Sequence, residues 1–146
     1  MNLRRHFLFA LLLLGLSALT IQAQAPPTPN VAMITADELK AKLAGNEPVT
    51  IIDVRGSEAF ASATQTIKGS MHFKTRKLKS RLAFPPLKDL AKDREIVTYC
   101  SCPNDEASIA AAQILQAGGF KRVRVLQGGW QGWMKANGPV EPRTKT

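Results

Sequence analysis

Residues 95–100, which read Glu-Ile-Val-Thr-Tyr-Cys, decide how the rest of the sequence is interpreted. β-Branched and aromatic side chains dominate this run, and its nearly continuous apolar character is typical of a strand buried on both faces of a parallel sheet. Similar runs occupy residues 49–54, Val-Thr-Ile-Ile-Asp-Val, and residues 122–126, Arg-Val-Arg-Val-Leu. Three short strands separated by longer segments predict a sheet whose strands are joined by crossovers.

Helical segments lie between these strands. Thr35 and Glu38 have the spacing of a capping box and predict the start of one helix, and Ser57 is expected to cap a second, short one. An alanine-rich segment over residues 105–116 predicts a third helix that ends at Gly118. Strands that alternate with helices predict an α/β domain with a mostly parallel central sheet and helices on both faces.

The first 23 residues have the pattern of a secretory signal peptide. Arg4 and Arg5 form a basic start, residues 7–21 are almost wholly apolar, and small residues follow. We expect cleavage after Ala23 and a secreted or periplasmic location. The apolar run is shorter than the roughly 20 residues that a membrane span needs, so we expect no stable span after cleavage.

The remaining sequence divides by composition. Residues 24–32 are rich in proline and polar side chains and are predicted to form a disordered tether. Residues 33–142 are predicted to form the domain, which is large enough to bury a modest core. Residues 143–146 are a short tail.

The chain is strongly basic, with a formal net charge of +9. The densest cluster of cations is Lys74, Arg76, Lys77, Lys79 and Arg81. This cluster predicts either a solvated basic face or a surface that steers anions by its long-range field. Nucleic acid is not the expected partner, because the signal peptide would export the chain away from it.

Cys100 and Cys102 are the only two cysteines. A disulfide between two cysteines separated by one residue closes too short a loop to be a structural cross-link of the fold, and two cysteines do not make a disulfide framework. Neighbouring thiols in an exported protein therefore indicate chemistry or incidental placement. Asp53 and Cys100 both end predicted strands, and ligands of parallel sheets bind beyond the carboxyl ends of the strands. We expect both residues to face that crevice.

Several motifs, in this order, resemble those of rhodanese-like domains. They are residues 51–55 followed by Glu58 and Phe60, residues 67–70, residues 96–100, and residues 117–130 followed by Trp133. The resemblance covers about residues 35–140 and implies the rhodanese-like α/β fold. One departure is Thr66, which stands where the family usually has a histidine.

The resemblance also implies a sulfur chemistry. In rhodanese-like enzymes a loop thiolate takes a sulfane sulfur, becomes a persulfide, and passes that sulfur to a nucleophilic acceptor. Backbone amides of the loop and the positive end of the following helix stabilise the negative charge. The corresponding loop comprises Ser101, Pro103, Asn104, Asp105, Glu106, Ala107 and Ser108.

Either cysteine could be the nucleophile. Counting forward from the strand favours Cys100, because Tyr99-Cys100 matches the family, whereas counting back from Ala117 points to Cys102. We favour Cys100 as the catalytic residue, because the strand fixes its position at the floor of the pocket. Pro103 has no amide proton and so removes one donor beside Cys102. Cys102 is then the assisting residue, a resolving thiol that attacks a persulfide or mixed disulfide on Cys100.

The end of this loop is acidic where thiosulfate-using relatives usually carry a basic residue. Asp105 and Glu106 would repel a dianionic donor, although carboxylates are also favourable in the first turn of a helix. Thiosulfate is therefore a doubtful donor, and a neutral or cationic one fits better. Ser108 is either an ordinary helix residue or a hydroxyl donor to the loop.

Asp53, Arg55 and Trp130 are expected to line the pocket. For Asp53 we favour a role as a cap on neighbouring backbone amides over a catalytic role. Arg55 is expected to pair with Glu58, or else to help hold an anion. Trp130 either belongs to the core or walls the pocket.

These observations predict an exported sulfurtransferase or persulfide carrier, with enzyme activity favoured but not established by the sequence. The expected partners are a small sulfur donor or a persulfidated protein, and a thiol acceptor. Two alternatives remain: a catalytically silent binding module, and a thiol redox or Cu(I)-handling protein that uses both sulfurs. We expect no cofactor and no metal site, because His72 is the only histidine after the signal peptide and a zinc site usually needs four ligands.

Overall fold

The computed structural model describes residues 30–143, which fold into a layered α/β structure of seven strands and five α-helices. The elements in chain order are β1 (Ala32–Ile34), α1 (Ala36–Ala44), β2 (Val49–Asp53), α2 (Ser57–Ser62), β3 (Gln65–Ile67), β4 (Met71–His72), α3 (Thr75–Arg81), β5 (Glu95–Tyr99), α4 (Glu106–Ala117), β6 (Arg122–Leu126), α5 (Gly129–Lys135) and β7 (Val140–Pro142). A single 3-10 turn, Leu87–Asp89, lies between α3 and β5.

The central sheet has the strand order β1-β6-β5-β2-β4, and all of its pairings are parallel. β5 lies in the middle, with Asp53 of β2 opposite Tyr99 on one side and Val125 of β6 opposite Thr98 on the other. β3 and β7 form a separate antiparallel pair. The prediction of a mostly parallel α/β sheet is confirmed.

Helices cover both faces of this sheet. On one face Ile52, Ile96 and Val125 pack with Leu78 of α3 and with the alanines of α4. On the other face Ile51, Val97, Tyr99 and Leu126 pack with Leu39 of α1 and Trp133 of α5. Because side chains alternate across a strand, each buried strand supplies both cores, and this explains its continuous apolar run.

The two predicted helix starts have different outcomes. Thr35 and Glu38 form the capping box: the Glu38 amide donates to Thr35 Oγ1 at 3.2 Å and the Thr35 amide to Glu38 Oε2 at 2.8 Å. Ser57 is not a cap. It is the first residue of α2, and Gly56 occupies the capping position without any side-chain bond.

The ends of the domain also differ from the prediction. β1 begins at Ala32, inside the predicted tether, and Val31 is buried. The predicted signal peptide, most of the tether and all but the first residue of the tail lie outside the described residues. Within residues 30–143, no helix is long and apolar enough to cross a membrane.

Candidate active site

Cys100 follows the last residue of β5 and is 1% exposed. Its main chain is held from two sides, because the amide of Val54 bonds the carbonyl of Tyr99 and the amide of Trp130 bonds the carbonyl of Cys100, both at 2.8 Å. The start of the loop is therefore fixed to the neighbouring strand and to α5.

Asp105 fixes the far end of the loop. It adopts the left-handed conformation at φ 54° and directly precedes α4, and its carbonyl accepts the first helical bond from the amide of Ile109 at 2.8 Å. Its carboxylate is 7% exposed and accepts a bond from the amide of Gly128 at 2.9 Å. Asp105 thus links the cysteine loop to the turn between β6 and α5.

Gly129 completes this contact between the loop and α5. Its φ is +49°, and a Cβ atom on this residue would overlap the carbonyl oxygen of Cys100. The close approach of the two backbones at this point requires a glycine.

The two sulfur atoms are joined as a Cys100–Cys102 disulfide. The turn after β5 brings the two side chains together, and the sequence alone did not indicate whether the pair is reduced or oxidised. Three donors surround the sulfurs: the Cys102 amide reaches Cys100 Sγ at 3.4 Å, Ser108 Oγ reaches it at 3.1 Å, and the Ala107 amide reaches Cys102 Sγ at 3.4 Å. Backbone and hydroxyl donors that surround a sulfur atom stabilise negative charge on it.

Both cysteines line an open pocket of about 580 Å³. α2 and the residue before it supply one wall, and the cysteine loop with the start of α4 supplies the other. The lining residues are Gly56, Ser57, Glu58, Ala59, Ser62, Cys100, Ser101, Cys102 and Ala107. Glu58 is the only charged residue among them.

The predicted loop residues divide into three groups. Ser101, Cys102 and Ala107 line the pocket. Pro103, Asn104 and Glu106 are exposed and do not line it, and the Asp105 carboxylate is turned toward Gly128. Ser108 combines both predicted roles, because it is a buried helix residue whose hydroxyl contacts Cys100.

Asp53 and Arg55 form a buried ion pair. Arg55 donates to the Asp53 carboxylate through its main-chain amide at 2.9 Å, through Nε at 3.0 and 3.1 Å, and through Nη2 at 2.7 Å. The guanidinium also lies 4.5 Å from the ring centroid of Trp130. Arg55 therefore pairs with Asp53, and the predicted pair with Glu58 does not form.

Asp53 and Trp130 do not line the cysteine pocket. Trp130 packs against the core on the other face of the sheet, and Asp53 accepts a bond from the Arg55 amide, which is the capping role considered for it from the sequence. Asp53 lies opposite Tyr99 in the sheet, and Cys100 is one residue further on. Successive side chains point to opposite faces, so Asp53 shares a face with Tyr99 while Cys100 packs on the other. Arg55 lines only a neighbouring cleft.

A hydroxyl network on the Tyr99 side was missed by the sequence reading. Tyr99 donates to Asp53 Oδ2 at 2.7 Å and lies 2.8 Å from Thr66 Oγ1, which in turn is 2.6 Å from Ser70 Oγ. Burial, reinforced by the Asp53 carboxylate, raises the pKa of Tyr99 to about 12. Thr66, at the position where relatives carry a histidine, is part of this network.

The α2 wall of the pocket was also missed. The sequence predicted the helix but gave no reason to place it against the cysteines. The available signal was topological, because α2 begins soon after the carboxyl end of β2, the edge at which ligands bind in parallel sheets. Among residues 30–143, no three His, Cys, Asp or Glu side chains are grouped so that they could hold a metal ion.

Comparison with known proteins decides the family. Residues 35–136 match the profile of the rhodanese-like domain, which is more than half of the chain. This chain belongs to the rhodanese-like family. The predicted resemblance is thereby confirmed, and so is the fold class.

Relatives of this rhodanese-like chain include an arsenate reductase and another rhodanese-like domain. It is 30% identical over 119 residues to arsenate reductase 2.1 of Oryza sativa subsp. japonica, an alignment that covers 76% of this chain and 72% of that protein. It resembles the solution structure of the rhodanese-like domain of the Anabaena sp. Alr3790 protein, with 30% identity, a TM-score of 0.64, and 80% and 86% of the two chains covered.

The structure of the human single-domain sulfurtransferase TSTD1 aligns with a TM-score of 0.60, and the alignment covers 73% of this chain and 97% of the human chain. At 22% identity, that likeness shows the shared fold alone.

Proposed function

We propose that this rhodanese-like protein is an exported sulfurtransferase or persulfide carrier in which Cys100 accepts a sulfane sulfur and Cys102 resolves the product. The observation that carries the proposal is the position of Cys100 Sγ, which lies at a pocket wall within 3.1 Å of the Ser108 hydroxyl and 3.4 Å of the Cys102 amide. Donors in this arrangement stabilise both a thiolate and a persulfide anion.

The reaction begins with the reduced cysteine pair. The Cys100 thiolate attacks the outer sulfur of a persulfide donor, the donor's sulfur–sulfur bond breaks, and the donor leaves as a thiolate. Cys100 now carries the transferred sulfur. An external thiolate that attacks this outer sulfur takes it away and regenerates the Cys100 thiolate, which completes a transfer without any net oxidation of the protein.

Cys102 supplies a second outcome for the same intermediate. Its thiolate attacks Cys100 Sγ, the terminal sulfur leaves as hydrosulfide, and a Cys100–Cys102 disulfide remains. The cysteine pair has then given two electrons to the sulfane sulfur. A dithiol reductant restores the pair by thiol–disulfide exchange.

The charge of the pocket favours a donor other than thiosulfate. Glu58 is its only charged lining residue, and no cation lines it. A compact dianion would lose hydration on entering without gaining a counter-charge. A persulfide whose reacting end carries little charge, either a small molecule or a persulfidated protein, fits this wall better, with a thiol as acceptor.

A thiol redox function is the second candidate, and the disulfide between Cys100 and Cys102 is the observation that favours it. In that case the pair exchanges electrons with substrate thiols and never carries sulfur. A silent binding module is the remaining alternative from the sequence.

Intact-mass measurement separates these functions. The purified protein is reduced, offered a small persulfide, and weighed together with its Cys100→Ser and Cys102→Ser variants. We expect Cys102→Ser to gain one sulfur atom and keep it, because the resolving thiol is missing. The original chain should release hydrosulfide and end two hydrogens lighter, and Cys100→Ser should gain nothing.

Two other patterns would refute the proposal. Loss of two hydrogens in the original chain with no sulfur gain by Cys102→Ser would support the redox function. An unchanged mass in all three proteins would support the binding module. Export is a separate proposal that rests on residues 1–23, and it predicts a mature chain that begins at Gln24.

A further inference from the structure

A groove between α3 and α4 lies on the same side of the sheet as Cys100. It has a volume of about 620 Å³, and its lining includes Lys79 and Leu82 from the α3 side and Ala110, Ile114 and Ala117 from α4. Its walls are mainly apolar or small side chains, with Lys79 as the only charged group among the lining residues. A groove of this kind is suited to a segment with apolar side chains.

The groove continues toward the cysteines along one stripe of α4. Ala107, Ala110, Ile114 and Ala117 are spaced by three or four residues and so lie on one helical face. Ala107 also lines the cysteine pocket, and its amide is 3.4 Å from Cys102 Sγ. The ten steps along α4 from Ala107 to Ala117 span about 15 Å at the rise of an α-helix.

A third depression, of about 250 Å³, lies where this stripe meets the pocket. It shares Gly56, Ser57 and Ala107 with the cysteine pocket and adds Lys74 and Arg76. Arg76 is one helical turn from Lys79 on α3, just as Ala107 is one turn from Ala110 on α4. This depression and the groove are thus neighbours along α3 and α4, and we name them together the α3–α4 track.

The α3–α4 track has a basic rim, because Lys74, Arg76 and Lys79 line it. None of the five cations in this part of the chain forms an ion pair with a carboxylate of residues 30–143: Lys74, Arg76, Lys77, Lys79 and Arg81. Glu95, by contrast, is shared by Lys42, Arg122 and Arg124. Unpaired cations beside an apolar floor complement a segment with both acidic and apolar side chains.

We propose that the α3–α4 track binds an acidic, partly apolar segment of a partner protein and so brings that partner's cysteine to Cys100. The role of the partner as sulfur donor or thiol acceptor rests on the proposed function, whereas the binding itself does not. A protein segment is favoured over nucleic acid because the floor of the groove is apolar, whereas a charged phosphate backbone binds through polar and cationic groups.

The test uses synthetic peptides as probes. One labelled peptide alternates glutamate and leucine and ends in serine, and a matched peptide has lysine in place of glutamate. Binding to the reduced protein is measured by fluorescence anisotropy at low salt. We expect the glutamate peptide to bind about tenfold or more tightly than the lysine peptide, with the preference weakening as salt screens the charges.

Two variants of the α3–α4 track and two matched controls locate the binding. Lys79→Glu should weaken the glutamate peptide about fivefold, and Ala117→Trp, which fills the floor without changing charge, should weaken both peptides. Lys135→Glu and Ala41→Trp make the same changes at exposed positions of α5 and α1, the helices of the opposite face, and should leave binding unaltered. Equal effects of the track variants and their controls would overturn the proposal.

The remaining outcomes separate the two proposals. A single-stranded oligonucleotide that binds more tightly than the glutamate peptide, and is insensitive to Ala117→Trp, would overturn the protein-partner assignment. Peptide binding that follows the pattern above, together with a Cys102→Ser variant that gains no sulfur from a small persulfide, would refute the proposed function and leave the α3–α4 track in place.

Discussion

Replacing Asp53 with asparagine tests whether this residue is structural or catalytic. Asp53 is 0% exposed, and Arg55, its partner, is 2% exposed. The carboxylate accepts bonds from the guanidinium, from the Arg55 amide, and from the hydroxyls of Tyr99 and Thr66. Asparagine keeps the shape, removes the charge, and turns an amide donor toward groups that are themselves donors.

The magnitude follows from this burial. Removing one partner of a buried ion pair leaves the other charge uncompensated and costs about 3–5 kcal/mol. Glu47→Gln is the matched control, because Glu47 is 51% exposed and bonds Lys42 at 2.7 Å. An exposed pair contributes about 1 kcal/mol or less.

Urea unfolding followed by circular dichroism measures both changes. At a slope of about 2 kcal/mol per molar urea, Asp53→Asn should lower the midpoint by about 2 M and Glu47→Gln by less than about 0.5 M. Under folding conditions, sulfur uptake by Asp53→Asn should remain close to that of the original chain. A midpoint equal to that of Glu47→Gln, or a folded variant that takes up no sulfur, would refute the structural assignment.

Three further predictions concern the site and its supports. Ser108→Ala should slow sulfur uptake by Cys100 about tenfold or more in stopped-flow measurements, because a hydrogen bond to a charged sulfur is lost, whereas Ser101→Ala should have little effect. Gly129→Ala should lower the free energy of unfolding by about 2–4 kcal/mol in chemical denaturation, because it strains a positive φ and displaces the backbone from Cys100. Its thermal stability should fall with it, and an unchanged midpoint would show that the close approach is dispensable. The raised pKa of Tyr99 favours the neutral phenol in the folded state, so its contribution to stability is fully present below about pH 10 and is lost as the pH rises toward about 12. The stability difference between the original chain and Tyr99→Phe should therefore shrink by about 2–3 kcal/mol over that interval, and a difference that does not vary with pH would contradict the shift.

The sequence predicted the parts of the fold that depend on long or strongly patterned segments. β2, β5 and β6 each carry a five-residue run with side chains for both cores, and α4 carries an uninterrupted alanine-rich stretch. β1 and β7 were missed because three residues hold too little periodicity to be distinguished from a loop. Their pairing partners are distant in the chain, so no local signal marks them.

The candidate site was predicted less evenly. The strand end located Cys100, and the loop that follows it included Ser108 as a possible hydroxyl donor. Asp53 was assigned to the pocket because it also ends a strand. The sequence did not reveal the register, in which Asp53 lies opposite Tyr99 and its side chain therefore points to the face away from Cys100. The α2 wall and the Tyr99 hydroxyl network depend on tertiary contacts between segments that share no sequence pattern.

The tie between Cys100 and the turn before α5 has a consequence for biosynthesis. The carbonyl of Cys100 and the carboxylate of Asp105 are both bonded by amides of residues 128–130, which are made after the two cysteines. A growing or truncated chain that ends before Gly128 holds both sulfurs but lacks the partners that position their loop. We therefore expect the proposed sulfur chemistry to begin only after residues 128–130 have been made and have bonded to the loop.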